Sequence, residues 1–392
     1  MARVKKVTSR SKRQVARSIS TSLQALFPDF RSARFRASAL QKRDAYIREM
    51  REAYLHRGLV LYVGAGVSLS LGLPGWSELI RALSVTMMSR RVESAIDMLQ
   101  KLDDEQKWER LSELQIQVRK KAESDKPILM MARAVKDELG DRLPTAIART
   151  LYQPVWRILR SMRRDEQLGH RKDLPSSMPQ GRPMLPTSDL LDAIVALARA
   201  ERDVQGVQAI VNYNFDDLLD EKLREQHVRC RTILSGKDVL PQGTLPCYHV
   251  HGLIASREFA RKWVARAHGN FVFSEDEYHA EYSDPYKWSN MTQMSLLGRY
   301  TGLFVGLSLE DPNIRRLIDV THRQYPENLN YAILPRKRSL GQERDDSNSV
   351  MRNLFEEVET NSFEKIGVRV IWVDLYREIP ELLRGVCSAD SG

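Results

Sequence analysis

A doubly wound, Rossmann-like α/β fold, with a mostly parallel sheet and helices on both faces, is what the 392-residue sequence predicts. Three observations predict it. Short β-rich runs alternate with helical stretches over residues 207–375, as strand–crossover–strand units do. An earlier apolar run at 59–63 leads through a glycine turn into a helix start. Four apolar runs stop at a glycine or polar cluster, the place where open α/β sheets bind their ligands.

The first element is a basic N-terminal arm, residues 1–43, with twelve Lys or Arg against the single acid Asp29. The other 349 residues carry 49 basic and 50 acidic side chains, so the formal net charge of +10 lies wholly in the arm. The body is therefore not a basic nucleic-acid-binding domain. The arm is rich in Arg and Ser, a composition shared by solubilising extensions, organellar transit peptides, phosphate-backbone contacts and segments that dock on acidic partners. From Ala39 to His56 the pattern turns helical, with Leu40, Tyr46, Ile47, Met50 and Leu55 roughly on one face.

Residues 58–80 read as strand, glycine turn and helix start. Residues 81–200 are mostly helical by periodicity and form a large insertion, broken at 168–188 by a loop with Pro175, Pro179, Gly181, Pro183 and Pro186. No apolar run approaches the roughly 18 residues of a membrane-spanning helix. Cysteine occurs only at Cys230, Cys247 and Cys387, with no CxxC pair, so neither a disulfide framework nor a cysteine-type zinc site is expected. An intracellular, cytoplasmic, soluble protein without a metal or membrane contact is the expectation.

The chemistry is concentrated at the strand ends. Leu59–Val63 runs into Gly64-Ala65-Gly66-Val67-Ser68, and Val207–Val211 into Asn212-Tyr213-Asn214-Phe215-Asp216-Asp217. Leu245–Val250 runs into His251-Gly252, and Leu303–Val305 into Gly306-Leu307-Ser308-Leu309-Glu310-Asp311-Pro312-Asn313. Each cluster has two readings when taken alone. A Gly-Ala-Gly turn lets the backbone approach a pyrophosphate, or simply packs a strand tightly on a helix. Ser68 bonds a phosphate or caps the helix. Asn214-Phe215-Asp216 is a ligand-binding turn or an Asx turn ending a strand. His251 is a catalytic base or a hydrogen-bonded structural histidine, with His249 expected on the opposite side. Trp76, after Gly72-Leu73-Pro74-Gly75, is a packing residue or a lid.

Order and spacing unite the four. Gly-Ala-Gly-x-Ser, Asn-x-Asp, His-Gly and Gly-x-Ser followed by Asp-Pro-Asn-Ile-Arg resemble the sirtuin-like (silent information regulator) family, in particular its prokaryotic anti-phage branch. The resemblance runs from about Leu59 to Val373, with 81–200 and the arm matched only loosely. Asn212, Leu307 and Asp220 depart mildly from the residues common in the family. It implies a catalytic domain over 44–392 with NAD+ as substrate. Gly64, Ala65, Gly66 and Ser68 would hold the pyrophosphate, with Gly306 and Ser308 against the adenosine half. Asn214 would sit by the nicotinamide ribose, Asp216 would bind the carboxamide, and His251 would be the general base.

Protein-deacylating relatives usually carry a small zinc module with two CxxC pairs, which this sequence lacks. The resemblance therefore implies an NAD+ glycohydrolase that releases nicotinamide and ADP-ribose and so depletes NAD+ in defence by abortive infection. The alternatives are an NAD-dependent deacylase or ADP-ribosyltransferase, and a nucleotide-binding module without turnover. The last predicted strand, Val368–Val373, lies within 20 residues of Gly392, so no sensor is expected after it. Control is accordingly expected through a homo-oligomer and a partner, and the resemblance to standalone relatives that form half of two-gene systems implies that this partner is a HerA-like hexameric ATPase that translocates DNA. The arm and the region 81–200 are the expected assembly surfaces.

Overall fold

The computed structural model describes residues 32–98, 128–153, 187–199, 204–256, 264–336 and 346–387. The strands are β1 (Leu59–Val63), β2 (Val207–Asn212), β3 (Cys230–Ile233), β4 (Leu245–His249), β5 (Leu253–Ile254), β6 (Ala267–His268), β7 (Thr301–Val305), β8 (Asn330–Pro335) and β9 (Val368–Val373). Seven of them form one sheet in the order β3-β4-β2-β1-β7-β8-β9, and every pairing in it is parallel. β5 and β6 make a separate antiparallel ribbon.

The helices are α1 (Ser32–Glu52), α2 (Ala65–Leu69), α3 (Trp76–Met98), α4 (Ile128–Leu139), α5 (Asp189–Ala198), α6 (Leu218–Glu225), α7 (Glu275–Ser283), α8 (Trp288–Arg299), α9 (Pro312–Gln324), α10 (Asp346–Glu364) and α11 (Ile379–Cys387). Residues 143–153 are also helical. Local chemistry fixes several starts. The Ser188 hydroxyl accepts the Leu191 N–H at the head of α5. Asp311 accepts the Asn313 and Ile314 N–H groups ahead of Pro312 at the head of α9. Ser274 and Glu277 form a capping box on α7.

A parallel strand covered on both faces reads as a continuous apolar run, and Leu-Val-Leu-Tyr-Val of β1 is buried throughout. Its side chains alternate between two cores. Leu59, Leu61 and Val63 face a core shared with α1, α5 and α11, while Val60 and Tyr62 face one shared with Phe304 and the α9 residues Ile314, Leu317 and Ile318. The result is a helix–sheet–helix sandwich.

Two helices bear on how the chain is divided. Helix α1 runs unbroken across position 43, placing Tyr46 and Met50 in the core, so the described end of the arm is one helix with the domain's first element. Within 81–200, α5 belongs to the sheet's own helical layer, because Leu190, Leu191 and Ile194 pack beneath β1. The other inserted helices build a third core, in which Leu79, Ile80, Leu83, Val135 and Ile147 meet Phe215, Ile254 and Phe273. The arm up to residue 31 and nearly all of the Pro-rich stretch 168–188 lie outside the described residues.

This order places a ligand site. The chain leaves β1 toward β2 on one side and returns to β7 on the other, so the strand order reverses between β1 and β7. At such a switch point the loops beyond the carboxyl ends part and open a crevice. No described helix is long and apolar enough to cross a membrane.

Candidate functional site

The turns leaving β1 and β7 are stitched to one another. Gly64 N–H donates to the Val305 carbonyl at 3.1 Å, Gly66 N–H to the Gly306 carbonyl at 2.9 Å, and Val67 N–H to the Gly64 carbonyl at 2.9 Å. Approach this close needs bare α-carbons. A Cβ on Gly66 would strike the Tyr376 hydroxyl and lie 2.7 Å from the Gly306 Cα. Gly306 sits at φ +71, and a Cβ there would lie 2.7 Å from the Val67 nitrogen. Close packing thus accounts for three of the turn's amides, and the same packing leaves a surface without side chains at the switch point. Gly306→Ala is expected to lower stability by at least about 1 kcal/mol, from the left-handed backbone and the contact together. A thermal melt of the variant checks it.

The β2 exit is clamped onto the β1 exit. The Asn212 Oδ1 accepts the Asn214 N–H at 2.9 Å, an Asx turn that starts at Asn212, two residues before the expected Asn214-Phe215-Asp216. The same segment also reaches across: Asn214 Nδ2 donates to the Gly64 carbonyl at 3.0 Å, and Ser68 Oγ donates to Asp216 Oδ2 at 2.6 Å. The other Asp216 oxygen accepts the Leu218 N–H that opens α6. Burial pushes the Asp216 carboxyl above its usual range, and the Ser68 bond works against that rise. Neighbouring Asp217, pushed up to about 6 by burial, accepts the Ser256 N–H.

His251 follows β4 and is almost fully buried. Its ring stands edge-on to Tyr213, centroids 4.9 Å apart, and to Tyr278 at 5.4 Å. Burial holds its pKa below the ordinary histidine value, and the nearby charges of Asp311 and Glu281 only partly oppose this. The ring is therefore neutral at neutral pH. His249 has a different environment: its Nε2 lies 2.9 Å from Asp220 Oδ2. Burial works against its charge, but Asp220, Asp216 and Asp217 outweigh that and its pKa rises. The two histidines part because β4 ends at His249 and the chain turns, not because strand alternation separates them.

The β7 exit carries the remaining sequence candidates. Ser308 is exposed, and its hydroxyl accepts the Glu310 N–H of its own loop at 3.4 Å. Leu309 adopts φ +56, a strained conformation for a leucine, and is held there by complete burial among the α9 side chains. The structure thus joins Gly64, Gly66, Ser68, Asn214, Asp216 and Gly306 in one bonded cluster, with Ala65 inside its turn. His251 flanks it through Tyr213, and Ser308 makes no bond to it.

Trp76 packs against Phe215 and Phe273, so its packing reading accounts for it. Sequence reasoning passed over three neighbours of the site. Tyr213 and Tyr278 bracket His251, and Tyr376, beyond β9, covers the glycine turn. Tyr213 stands within the Asn-x-Asp segment and was available as a signal. Tyr278 and Tyr376 come from distant helical turns that no local pattern ties to the strand ends. Among the described residues no group of three or more His, Cys, Asp or Glu is placed to hold a metal ion.

Residues 208–371 match the family model of the SIR2-like domain. The matched stretch contains Asn214, Asp216, His251, Gly306 and Ser308 and stops short of the β1 turn. SIR2-like domains are in general NAD-using enzymes, and that stretch of this chain is similar to them. No curated protein matches the chain.

Proposed function

We propose that this protein cleaves the bond between nicotinamide and ribose in NAD+ and passes the ADP-ribosyl group to water. The observation that carries the reading is the clamp of Asn214 on Gly64 and Asp216 on Ser68, beside a buried neutral imidazole, at the sheet's switch point. The bare glycine surface suits close approach of a pyrophosphate, with Ser308 at its outer edge against the adenosine half. Asn214 lies by the nicotinamide ribose. Asp216 receives the carboxamide N–H.

In the reaction the C1′–nitrogen bond breaks and its electron pair leaves with nicotinamide, which departs neutral. The ribose passes through an oxocarbenium-like state, so positioning and charge stabilisation matter more than a strong acid. Water attacks C1′, and its proton goes to the neutral His251 ring. The products are nicotinamide and ADP-ribose. Incubating the purified protein with NAD+ and measuring free nicotinamide tests the reading, and no release under any assembly state would sink it.

The lack of any CxxC pair favours water over an acyl-lysine as the acceptor. An acetylated peptide is accordingly expected to yield no O-acetyl-ADP-ribose at rates comparable with NAD+ loss. Stoichiometric formation of that product, read by mass spectrometry, would reassign the enzyme as a deacylase.

Unrestrained NAD+ loss kills a cell, which fits an anti-phage role in which infected cells sacrifice their NAD+, and such an activity needs a gate. Our reading is a homo-oligomer that binds a HerA-like hexameric ATPase, with the basic arm contacting that partner or its nucleic acid. The mass in solution and co-purification with a neighbouring gene product test it. A monomer fully active alone would leave the gate without support.

A further inference from the structure

Helix α6 opens on an unusual concentration of buried acid. Asp216, Asp217, Asp220 and Glu221 fall within six residues, and all are at least nine-tenths buried. Two have neutral or peripheral partners: Asp217 accepts the Ser256 N–H, and Glu221 is bridged by Arg224 at 2.6 Å. Asp220 is held by Thr232 Oγ1 at 2.6 Å and by His249 Nε2 at 2.9 Å, with both ion-pair partners inaccessible to water. Asp216 has only neutral donors, Ser68 and the Leu218 N–H.

The His249 ring is oriented by this one bond. Its Nδ1 meets no protein partner, and neither does the Nδ2 of Asn212, the residue in register with it on β2. Asn212 in turn holds the Asn214 N–H. The charged and titratable groups around the ring are Asp216 and Asp217 in the β2 exit, Asp220, Glu221 and Arg224 on α6, and the thiols Cys230 on β3 and Cys247 on β4. Arg224 is part-exposed, bonded to Glu221 at 2.6 Å and 3.9 Å from Asp220, while Lys222 pairs with Asp192 and Glu225. His249 is the group in this cluster that can carry positive charge while wholly closed to water.

We propose that His249, carrying both ring protons and locked to Asp220, is the buried counter-charge that keeps Asp216 ionised and bonded to Ser68, making it a positioning residue for the cleavage. Two carboxylates sharing one buried space do not both ionise without such a charge. A protonated Asp216 would donate where it should accept, and the substrate's carboxamide would lose its acceptor. The raised pKa of His249 agrees with this assignment.

The inference rests on the proposed NAD+ cleavage, and nicotinamide release by the wild-type protein tests that reading separately. His249→Gln keeps a donor toward Asp220 but removes the charge. Its turnover is expected to fall by up to about threefold at pH 7 and to recover by about pH 9, with the acid limb moved up by about one pH unit. ADP-ribose affinity, measured by calorimetry, should stay within about threefold. An acid limb left in place, whether or not overall turnover falls, overturns the proposal. Nitrogen NMR of labelled histidine in the wild-type protein gives a readout independent of activity and of how the variant folds. His249 should carry both ring protons at pH 7, and a singly protonated ring there overturns the proposal as well.

Discussion

Replacing Asn214 by alanine is expected to lower nicotinamide release by at least about a hundredfold while the protein stays folded. The side chain is polar, stands beyond the end of β2, and belongs to none of the three apolar cores. Its removal costs one hydrogen bond, Nδ2 to the Gly64 carbonyl, worth about 1 kcal/mol. The backbone turn keeps its own bond to Asn212, so local structure survives. What disappears is the group that presents the β2 exit to the ribose in register with the glycine turn. A melting temperature within a few degrees of wild type, with turnover collapsed, is the expected pair of readings; near-wild-type turnover would remove Asn214 from the mechanism. Asp216→Ala should differ in kind. It breaks the Ser68 bond and the lead into α6 together, so NAD+ binding and turnover should weaken in parallel.

β1 and β9 are legible in the sequence because both faces of each strand are largely buried. β1 and β9 lie at the expected residues, since Leu-Val-Leu-Tyr-Val and Val-Arg-Val-Ile-Trp-Val stand out against polar neighbours. β2 extends one residue further, to Asn212, because an asparagine at a strand's end still pairs through its backbone. β3 escaped notice. Cys-Arg-Thr-Ile is a half-exposed edge strand of four residues, and its alternation is too short to register. In the sequence the acids at the head of α6 register only as a variant of a motif. Their meaning depends on His249, 29 residues away from Asp220, and on a burial that no local pattern reports. Motif spacing located the strand ends. Only the fold showed that Ser68 and Asp216, 148 positions apart, share a hydrogen bond.

His251→Ala should reduce nicotinamide release by roughly a hundred- to ten-thousandfold, the range for losing a positioned general base. The wild-type pH profile should carry the same residue's mark. Burial places the folded His251 pKa below 6.5, so the imidazole is neutral and able to take a proton throughout the neutral range. Turnover should therefore be flat above about pH 6.5 and fall as the pH drops through the folded value, where the ring gains the proton it must be free to accept. The same shift bears on stability. The unfolded chain takes up the proton first as the pH falls below about 6.5, so the fold loses stability in the acid range where activity declines. A thermal melt at each pH separates the two effects, because loss of the base lowers turnover in protein that is still folded. The space between Tyr213 and Tyr278 left by the alanine variant suits a free imidazole, and added imidazole should restore part of the activity. Full turnover in the alanine variant, or a wild-type profile flat well below pH 6 in protein shown to be folded, would remove His251 as the base.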